Sequence, residues 1–284
     1  MRYTIDEHNQ LRLEQSDVAP TVYLDHWAVR HMSDDPYARD EFTSVLKARE
    51  GTLALSWLNL LEFTPMTDVE THRRAETLIE QMLPNVFFME SNPFVVIKRE
   101  NQLLGGAQPL PPHADCALLR EFGNLPTTSL AGFTAEGLIS PMHGSAVEAE
   151  FGALADAVVL GVEGLRSELT GNVNFQHVIQ RPPSGPPIQR GTRYVFRELA
   201  RTFLVDKALK ISRNNAIDLL HSVVPVAYCD YVLLDAHWEE QVARVRTRFA
   251  NTKMQVPLAN VFSKKSTGLK RFLAALAKSD GQPF

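Results

Sequence analysis

The feature that most constrains the fold is an apolar run, Tyr228 to Leu234, that ends directly before Asp235. Its valine, tyrosine and leucine residues are typical of a strand covered on both faces, as in a parallel sheet. The preceding residues, Leu219 to Val224, have the apolar spacing of a helix, and we expect this helix to end at Pro225 because a proline disfavours helical geometry in the residue before it. A helix that runs down the sheet before the strand returns places Asp218 and Asp235 at the same edge.

Strands and helices also alternate in the first third of the chain. The run Thr21 to Leu24 ends in Asp25, Thr52 to Ser56 begins a second strand, and Val86 to Met89 reads as a third. Glu62 is the single charge in the apolar block that follows the second strand. This alternation predicts an α/β sheet, and ligands of such sheets bind outside the carboxyl ends of the strands.

A change in composition divides the chain of 284 residues into segments. Clusters of proline and glycine between residues 92 and 191 break the alternation and predict an inserted helical subdomain. A fifth strand is expected within Met254 to Phe262. The predicted organisation is an N-terminal hairpin at 1–20, a first half of the core at 21–91, the helical insertion at 92–191, a second half of the core at 192–262 and a basic tail at 263–284.

Composition excludes several classes of protein. The formal net charge of -4 provides no global basic surface, so contacts with nucleic acid would use local patches. Cys116 and Cys229 are far apart, which argues against a disulfide framework and a cysteine zinc site and favours the reducing cytoplasm. The chain contains no signal-peptide pattern and no apolar run of about 18 residues, so we expect no membrane partner.

The carboxylates at the strand ends indicate the chemistry. Asp25, Glu62, Asp218 and Asp235 are predicted to meet at one edge, where like charges repel unless a cation lies among them. Oxygen ligands suit Mg²⁺ or Mn²⁺, and such an ion polarises a phosphate and lowers the pKa of water. Asp230 would lie roughly 16 Å lower on its strand, at about 3.3 Å per residue, and is interpreted as structural.

These four acids resemble the pattern of the PIN domain family of metal-dependent ribonucleases. The family has an Asp ending the first strand, a Glu in the helix after the second, an Asp opening a late helix and an Asp ending the fourth strand. Tyr-Leu-Asp25, Asn-Leu-Leu-Glu62, Ala-Ile-Asp218 and Tyr-Val-Leu-Leu-Asp235 occupy those places in that order. The resemblance covers roughly residues 20 to 90 and 192 to 262.

The resemblance implies both a fold and an activity. The fold would be a PIN-like three-layer α/β arrangement, with a central, mostly parallel five-stranded sheet and a helical insertion. The activity would be endoribonuclease hydrolysis of RNA phosphodiester bonds, with all four acids as catalytic residues and as ligands of Mg²⁺ or Mn²⁺. Many relatives are toxins held by an inhibitory protein, so a toxin-like role, an inhibitory protein partner and a homodimer are consistent with this reading.

Two other functions stay open. One is a DNA-acting or structure-specific nuclease of the same superfamily. The other is a catalytically inactive scaffold that binds nucleic acid or protein, because Trp27 and Leu233 occupy places where many family members carry small polar residues.

Simpler structural roles are open for each acid as well. Asp25 and Asp235 can cap helices, Glu62 can pair with Arg73 or Arg74, and Asp218 can interact with a helix dipole.

Other polar residues have two readings each. His221, one helical turn after Asp218, fits either a packed core or contact with a metal or phosphate. Arg193, Arg197 and Arg201 recur at every fourth position, as in a phosphate-binding stripe or an exposed helix face.

Overall fold

A five-stranded parallel sheet forms the centre of the computed structural model, which describes residues 1–5, 7, 11–59, 69–103, 110–123, 146–181, 191–206, 209–265 and 267–278. Its strands lie in the order β5-β4-β3-β6-β7, and every pairing is parallel. A separate hairpin pairs the first two strands antiparallel. The strands are β1 (Arg2–Ile5), β2 (Leu11–Glu14), β3 (Thr21–Leu24), β4 (Thr52–Leu55), β5 (Val86–Phe88), β6 (Tyr231–Leu233) and β7 (Asn260–Phe262).

Eleven helices occur in the described ranges. They are α1 (His26–Asp34), α2 (Pro36–Ala48), α3 (Val69–Met82), α4 (Pro93–Gln102), α5 (Cys116–Gly123), α6 (Ala146–Gly171), α7 (Val173–Gln180), α8 (Thr192–Val205), α9 (Arg213–Tyr228), α10 (Ala236–Asn251) and α11 (Gly268–Lys278). By their contacts, α1, α2, α3 and α11 form one group, and α4, α6, α8, α9 and α10 form another. This grouping is consistent with three layers, and the predicted α/β class with a five-stranded sheet is confirmed.

The strands form where fully buried apolar runs occur. All four residues of β3 and of β4 are buried, as are the three residues of β5 and of β6. Side chains point alternately to opposite faces of a strand, so burial at successive positions requires cover on both faces. The sequence pattern and the two groups of helices therefore agree.

The helix before β6 does not end where the sequence predicts. α9 continues through Pro225 to Tyr228, and Val226 and Ala227 are buried. Proline removes one backbone donor and strains a helix, but the burial of this last turn outweighs that local preference. The prediction that Pro225 ends the helix is wrong.

The fifth strand is shorter than the predicted Met254 to Phe262. Only Asn260–Phe262 pairs with β6. Pro257 lies in the predicted run and has no N–H group to donate to a sheet, which accounts for the late start of the strand.

The segment from 92 to 191 supplies α4, α5, α6 and α7. Of these helices, α4 and α6 contact both α8 and α9. This segment therefore packs on the same helices that precede β6. None of the helices in the described ranges is long and apolar enough to cross a membrane.

Candidate functional site

Two aspartates follow the ends of adjacent central strands. Asp25 comes directly after β3, and its N–H group donates to the carbonyl oxygen of Leu233 at 3.0 Å. Leu24 is in register with Leu233, so Asp235 lies one residue further along its own strand than Asp25. Because parallel strands end at the same edge, both carboxylates reach the edge at which ligands of α/β sheets bind.

The two aspartates occupy equivalent N-cap positions but use their side chains differently. Asp25 Oδ1 accepts a hydrogen bond from the His26 N–H group at 2.8 Å, at the start of α1. Asp235 occupies the N-cap position of α10 without a side-chain capping bond. Its Oδ1 instead lies 3.2 Å from Lys264 Nζ. The cap role suggested by the sequence is therefore filled by Asp25, whereas the carboxylate of Asp235 faces the surface next to Lys264.

Asp218 approaches the same edge from α9. The first turn of this helix contains no acid and is completed by a capping box between Ser212 and Asn215. Asp218 lies further along the helix, so its carboxylate is not the partner of the exposed N–H groups at the helix start. Desolvation and the charge of Asp235 raise the pKa of Asp218 to about 6.

The three aspartates share one electrostatic field. Burial, and then the charges of Asp235 and Asp218, raise the pKa of Asp25 to about 7, while the His26 N–H group and Lys264 oppose the rise. Burial favours the neutral form of a carboxyl group, and a second carboxylate adds to that preference. The ionised form of Asp25 is therefore disfavoured in the absence of a cation.

Glu62, the fourth predicted acid, lies outside the described residues. Its suggested ion-pair partners have other contacts: Arg74 Nε lies 2.9 Å from Asp34 Oδ1, and Arg73 NH1 lies 3.6 Å from Glu70 Oε2.

His221 lies beneath the aspartates. It is buried, its Nδ1 lies 3.6 Å from Asp25 Oδ1, and its ring meets the Tyr23 ring edge-on at 5.2 Å. Burial lowers the pKa of His221 to about 3, so the imidazole is neutral near pH 7. His221 thus belongs to the packed core, as one reading predicts, and adjoins Asp25; its contact with a metal or phosphate stays a prediction.

A buried polar network supports the backbone before Asp25. Asn59 Nδ2 donates to the carbonyl oxygen of Leu24 at 2.9 Å, and Asn59 Oδ1 accepts from the Ser56 N–H group at 2.8 Å. Tyr23 Oη lies 3.1 Å from Ser56 Oγ. These bonds fix the end of β3 against the turn after β4. This network was not predicted from the sequence, although Ser56 and Asn59 are visible there as two polar residues, three positions apart, in an otherwise apolar block.

The chemistry of the donors was tested against the predicted Mg²⁺ or Mn²⁺. Within the described ranges, no group of three His, Cys, Asp or Glu side chains forms a ready-made metal site. Magnesium, however, keeps several waters and binds through one or two carboxylates. Three carboxylates at one edge, with Lys264 as the cation beside Asp235, fit such a hydrated ion, and Asp25, Asp218 and Asp235 are the residues that would hold it.

Leu233, one of the two departures from the family pattern, is fully buried in β6. Its side chain packs in the core of the sheet.

The stripe of arginines on α8 has a structural role. Arg197 and Arg201 donate to the carbonyl oxygens of Arg181 and Ile179, at the end of α7, at 3.3 and 3.1 Å. These bonds satisfy carbonyl groups that a helix end leaves without partners. Two of the three arginines are thus engaged by the protein itself, whereas Arg193 contacts Tyr194 Oη at the surface, which disfavours a phosphate-binding stripe of three.

Comparisons of the chain with protein-family models, with curated proteins and with solved structures each found no match.

Proposed function

We propose that this chain is a PIN-like, metal-dependent endoribonuclease that hydrolyses RNA at the site formed by Asp25, Asp218 and Asp235, with Glu62 as a fourth acid. One observation carries the proposal. Three aspartates from separate elements lie at the carboxyl edge of a parallel sheet, where burial and then the charge of Asp235 raise the pKa of Asp25 to about 7 and that of Asp218 to about 6. A protein without a use for this charge would gain stability by replacing one of these residues.

The side chains divide the work of holding the site. Asp25 is fixed by its bond to the His26 N–H group and by the network under β3, so its orientation is set before a ligand binds. Asp235 is more exposed and is steadied by Lys264. A divalent ion would supply polarisation of the scissile phosphate and a water of lowered pKa.

Lys264 has a second use in the proposed reaction. Its ammonium group, 3.2 Å from Asp235 Oδ1, has a side chain that is 63 % exposed, so it can approach a substrate phosphate from the same edge. Neutral His221 excludes water from the inner side of Asp25. The proposal extends to a toxin-like role, in which an inhibitory protein would cover this edge.

The experiment compares cleavage of RNA and DNA strands of one sequence by the wild type and by Asp25→Asn and Asp235→Asn, each with Mg²⁺, Mn²⁺ or EDTA. We expect the wild type to cleave RNA only with metal, and each variant to lose at least about 100-fold of this activity, in line with the loss of one preorganised charge-stabilising group. Asp156→Asn is the matched control, because Asp156 pairs with Arg213 on the surface of α6. Full activity in both cluster variants would refute the assignment.

Two arms separate the alternatives. Cleavage of DNA in preference to RNA would identify the DNA-acting relative. A scaffold without activity would bind no Mn²⁺ in a way that depends on Asp25, and calorimetric titration of the wild type and Asp25→Asn measures this directly.

A further inference from the structure

A groove lies beside the acidic cluster, between the first helix after β3 and the start of the last helix. Its volume is about 650 Å³, within the range of pockets that bind small organic molecules, on the order of 300–1,000 Å³. We call it the α1/α11 groove. It is lined by Trp27, Arg30, His31, Asp34, Lys264, Thr267, Leu269 and Lys270.

The charge of the groove is positive. Arg30, Lys264 and Lys270 line it together with one acid, Asp34. Asp34 is already paired: its carboxylate lies 2.9 Å from Arg74 Nε and 3.7 Å from Arg30 Nε. Lys270 forms no ion pair with any residue of the described ranges. Of the three lining cations, Arg30 and Lys264 each lie near a carboxylate, so Lys270 contributes most of the excess positive charge that a ligand in this groove meets.

The basic residues of the tail contact two different parts of the protein. Lys265 and Arg271 are paired with acids of α10, Glu240 and Glu239, each at 2.9 Å. Lys264 and Lys270 line the groove, and Lys264 also lies 3.2 Å from Asp235 Oδ1. The positive charges of the tail are therefore not distributed evenly, because Lys264 and Lys270 both face the α1/α11 groove.

Trp27 provides an aromatic surface in the same groove. It is only partly buried, whereas the other two tryptophans, Trp57 and Trp238, are 4 % and 5 % exposed. The indole N–H group of Trp27 is buried and finds no hydrogen-bond acceptor among the described residues, so the part of the ring that lines the groove is its apolar carbon surface. Nucleic-acid bases stack on such side chains, and stacking tolerates any base sequence.

Lys264 connects the groove to the acidic cluster. Lys264 lines the groove, and its Nζ lies 3.2 Å from Asp235 Oδ1. Trp27 follows Asp25 by two residues, at the start of α1. A strand whose phosphates lie along Lys270 and Lys264 would thus continue to the aspartates.

We propose that the α1/α11 groove binds a single-stranded RNA segment next to the bond that is cleaved, with Lys264, Lys270 and Arg30 contacting phosphates and Trp27 stacking on a base. This inference rests on the proposed function for the identity of the strand. The choice of a single strand follows from Trp27, because only an unpaired base presents its face to a side chain.

The test measures binding without cleavage. A fluorescein-labelled 12-nucleotide oligouridine is titrated in EDTA at several salt concentrations. Lys270→Glu should weaken binding at least about 10-fold at low salt, and the slope of log K against log salt should decrease by about 0.7 for the lost phosphate contact. Lys278→Glu is the matched control, because Lys278 is exposed on the same helix away from the groove, and its affinity should stay within about two-fold of the wild type.

Trp27 is tested separately. Trp27→Ala should weaken binding about 10-fold, and Trp27→Phe should restore most of the loss because phenylalanine keeps an aromatic face. RNA should quench the tryptophan fluorescence of the wild type but not that of Trp27→Phe. The retained fold of each variant is checked by its unfolding midpoint.

The outcomes distinguish this inference from the proposed function. Wild-type binding that Lys270→Glu weakens and Lys278→Glu does not, in a protein that never cleaves, supports the groove and overturns the nuclease. Metal-dependent cleavage with equal affinity and KM in Lys270→Glu and Lys278→Glu supports the nuclease and overturns the groove. Binding of an oligoglutamate peptide in place of RNA would also overturn it, since the groove would then serve an acidic protein partner.

Discussion

Replacing Asp25 by Asn should increase the free energy of unfolding of the metal-free protein at pH 8. Burial and the charges of Asp235 and Asp218 raise the pKa of Asp25 from 3.8 to about 7. Between these pH values the folded protein retains a proton that the unfolded chain releases. The stability associated with this group is therefore fully present below about pH 4 and is lost as the pH rises to about 7.

The magnitude follows from the two pKa values. A difference of one pKa unit corresponds to about 1.36 kcal/mol, so ionised Asp25 destabilises the folded protein by up to about 4 kcal/mol above pH 7. The Asp25 side chain is only 17 % exposed, so solvent screening reduces this value little. Asparagine is uncharged and can still accept the hydrogen bond from the His26 N–H group. The gain in Asp25→Asn should therefore approach about 4 kcal/mol at pH 8 and decrease to about 1 kcal/mol at pH 4.5.

The assay is urea unfolding in EDTA at both pH values. Asp35→Asn is the control, because Asp35 caps α2 through the N–H groups of Tyr37 and Ala38 but lies outside the cluster. A gain in this control would assign the effect to the chemistry of the cap. An equal gain in stability at both pH values, or a loss at pH 8, would refute the inference that ionisation of Asp25 destabilises the folded protein.

Two further predictions concern stability away from the site. Arg248→Ala should lose about 3 kcal/mol in urea unfolding, because Arg248 Nε, 2.5 Å from the fully buried Glu198 carboxylate, is its nearer partner and, among the described residues, only Arg197 Nε, at 4.0 Å, remains. Arg271→Ala breaks an exposed pair and should stay within about 1 kcal/mol. Comparable losses in the two variants would contradict this account. Glu50→Gly should gain up to about 1 kcal/mol in thermal unfolding, because Glu50 has a φ of 53° that favours glycine. The same replacement at Glu41, inside α2, should lose about as much, and equal effects at both sites would exclude a backbone cause.

The central strands and two of the site aspartates can be predicted from the sequence. Asp25 and Asp235 each follow an apolar run, and the edge at which parallel strands end is fixed by their common direction. Asp218 is predictable because the helix before a strand must run antiparallel to it. These inferences require only local pattern and the geometry of one sheet.

Contacts made by exposed or isolated polar residues cannot be predicted in this way. Lys264 follows the last strand and has no periodic partner, so its position beside Asp235 depends on the turn before α11. Asn59 reaches the carbonyl oxygen of Leu24 only because β3 and β4 are adjacent. Pro225 leads to a wrong prediction of the end of α9 for a related reason. The conformational preference of the residue before a proline is local, whereas the length of α9 is set by the burial of its last turn.

Asp230, at the opposite end of β6 from Asp235, fixes how the two halves of the sheet align. Its Oδ2 accepts a hydrogen bond from the Thr21 N–H group at 2.7 Å, and its own N–H group donates to the Thr21 carbonyl oxygen at 2.9 Å. A slip of one residue between β3 and β6 would reverse the faces of the strand and shift Asp235 relative to Asp25 by about 3.3 Å. This alignment is set by contacts between the two strands themselves. Fragments that carry β3 and β6 on separate chains would therefore be expected to associate in the same register and to bring Asp25 and Asp235 to the same edge.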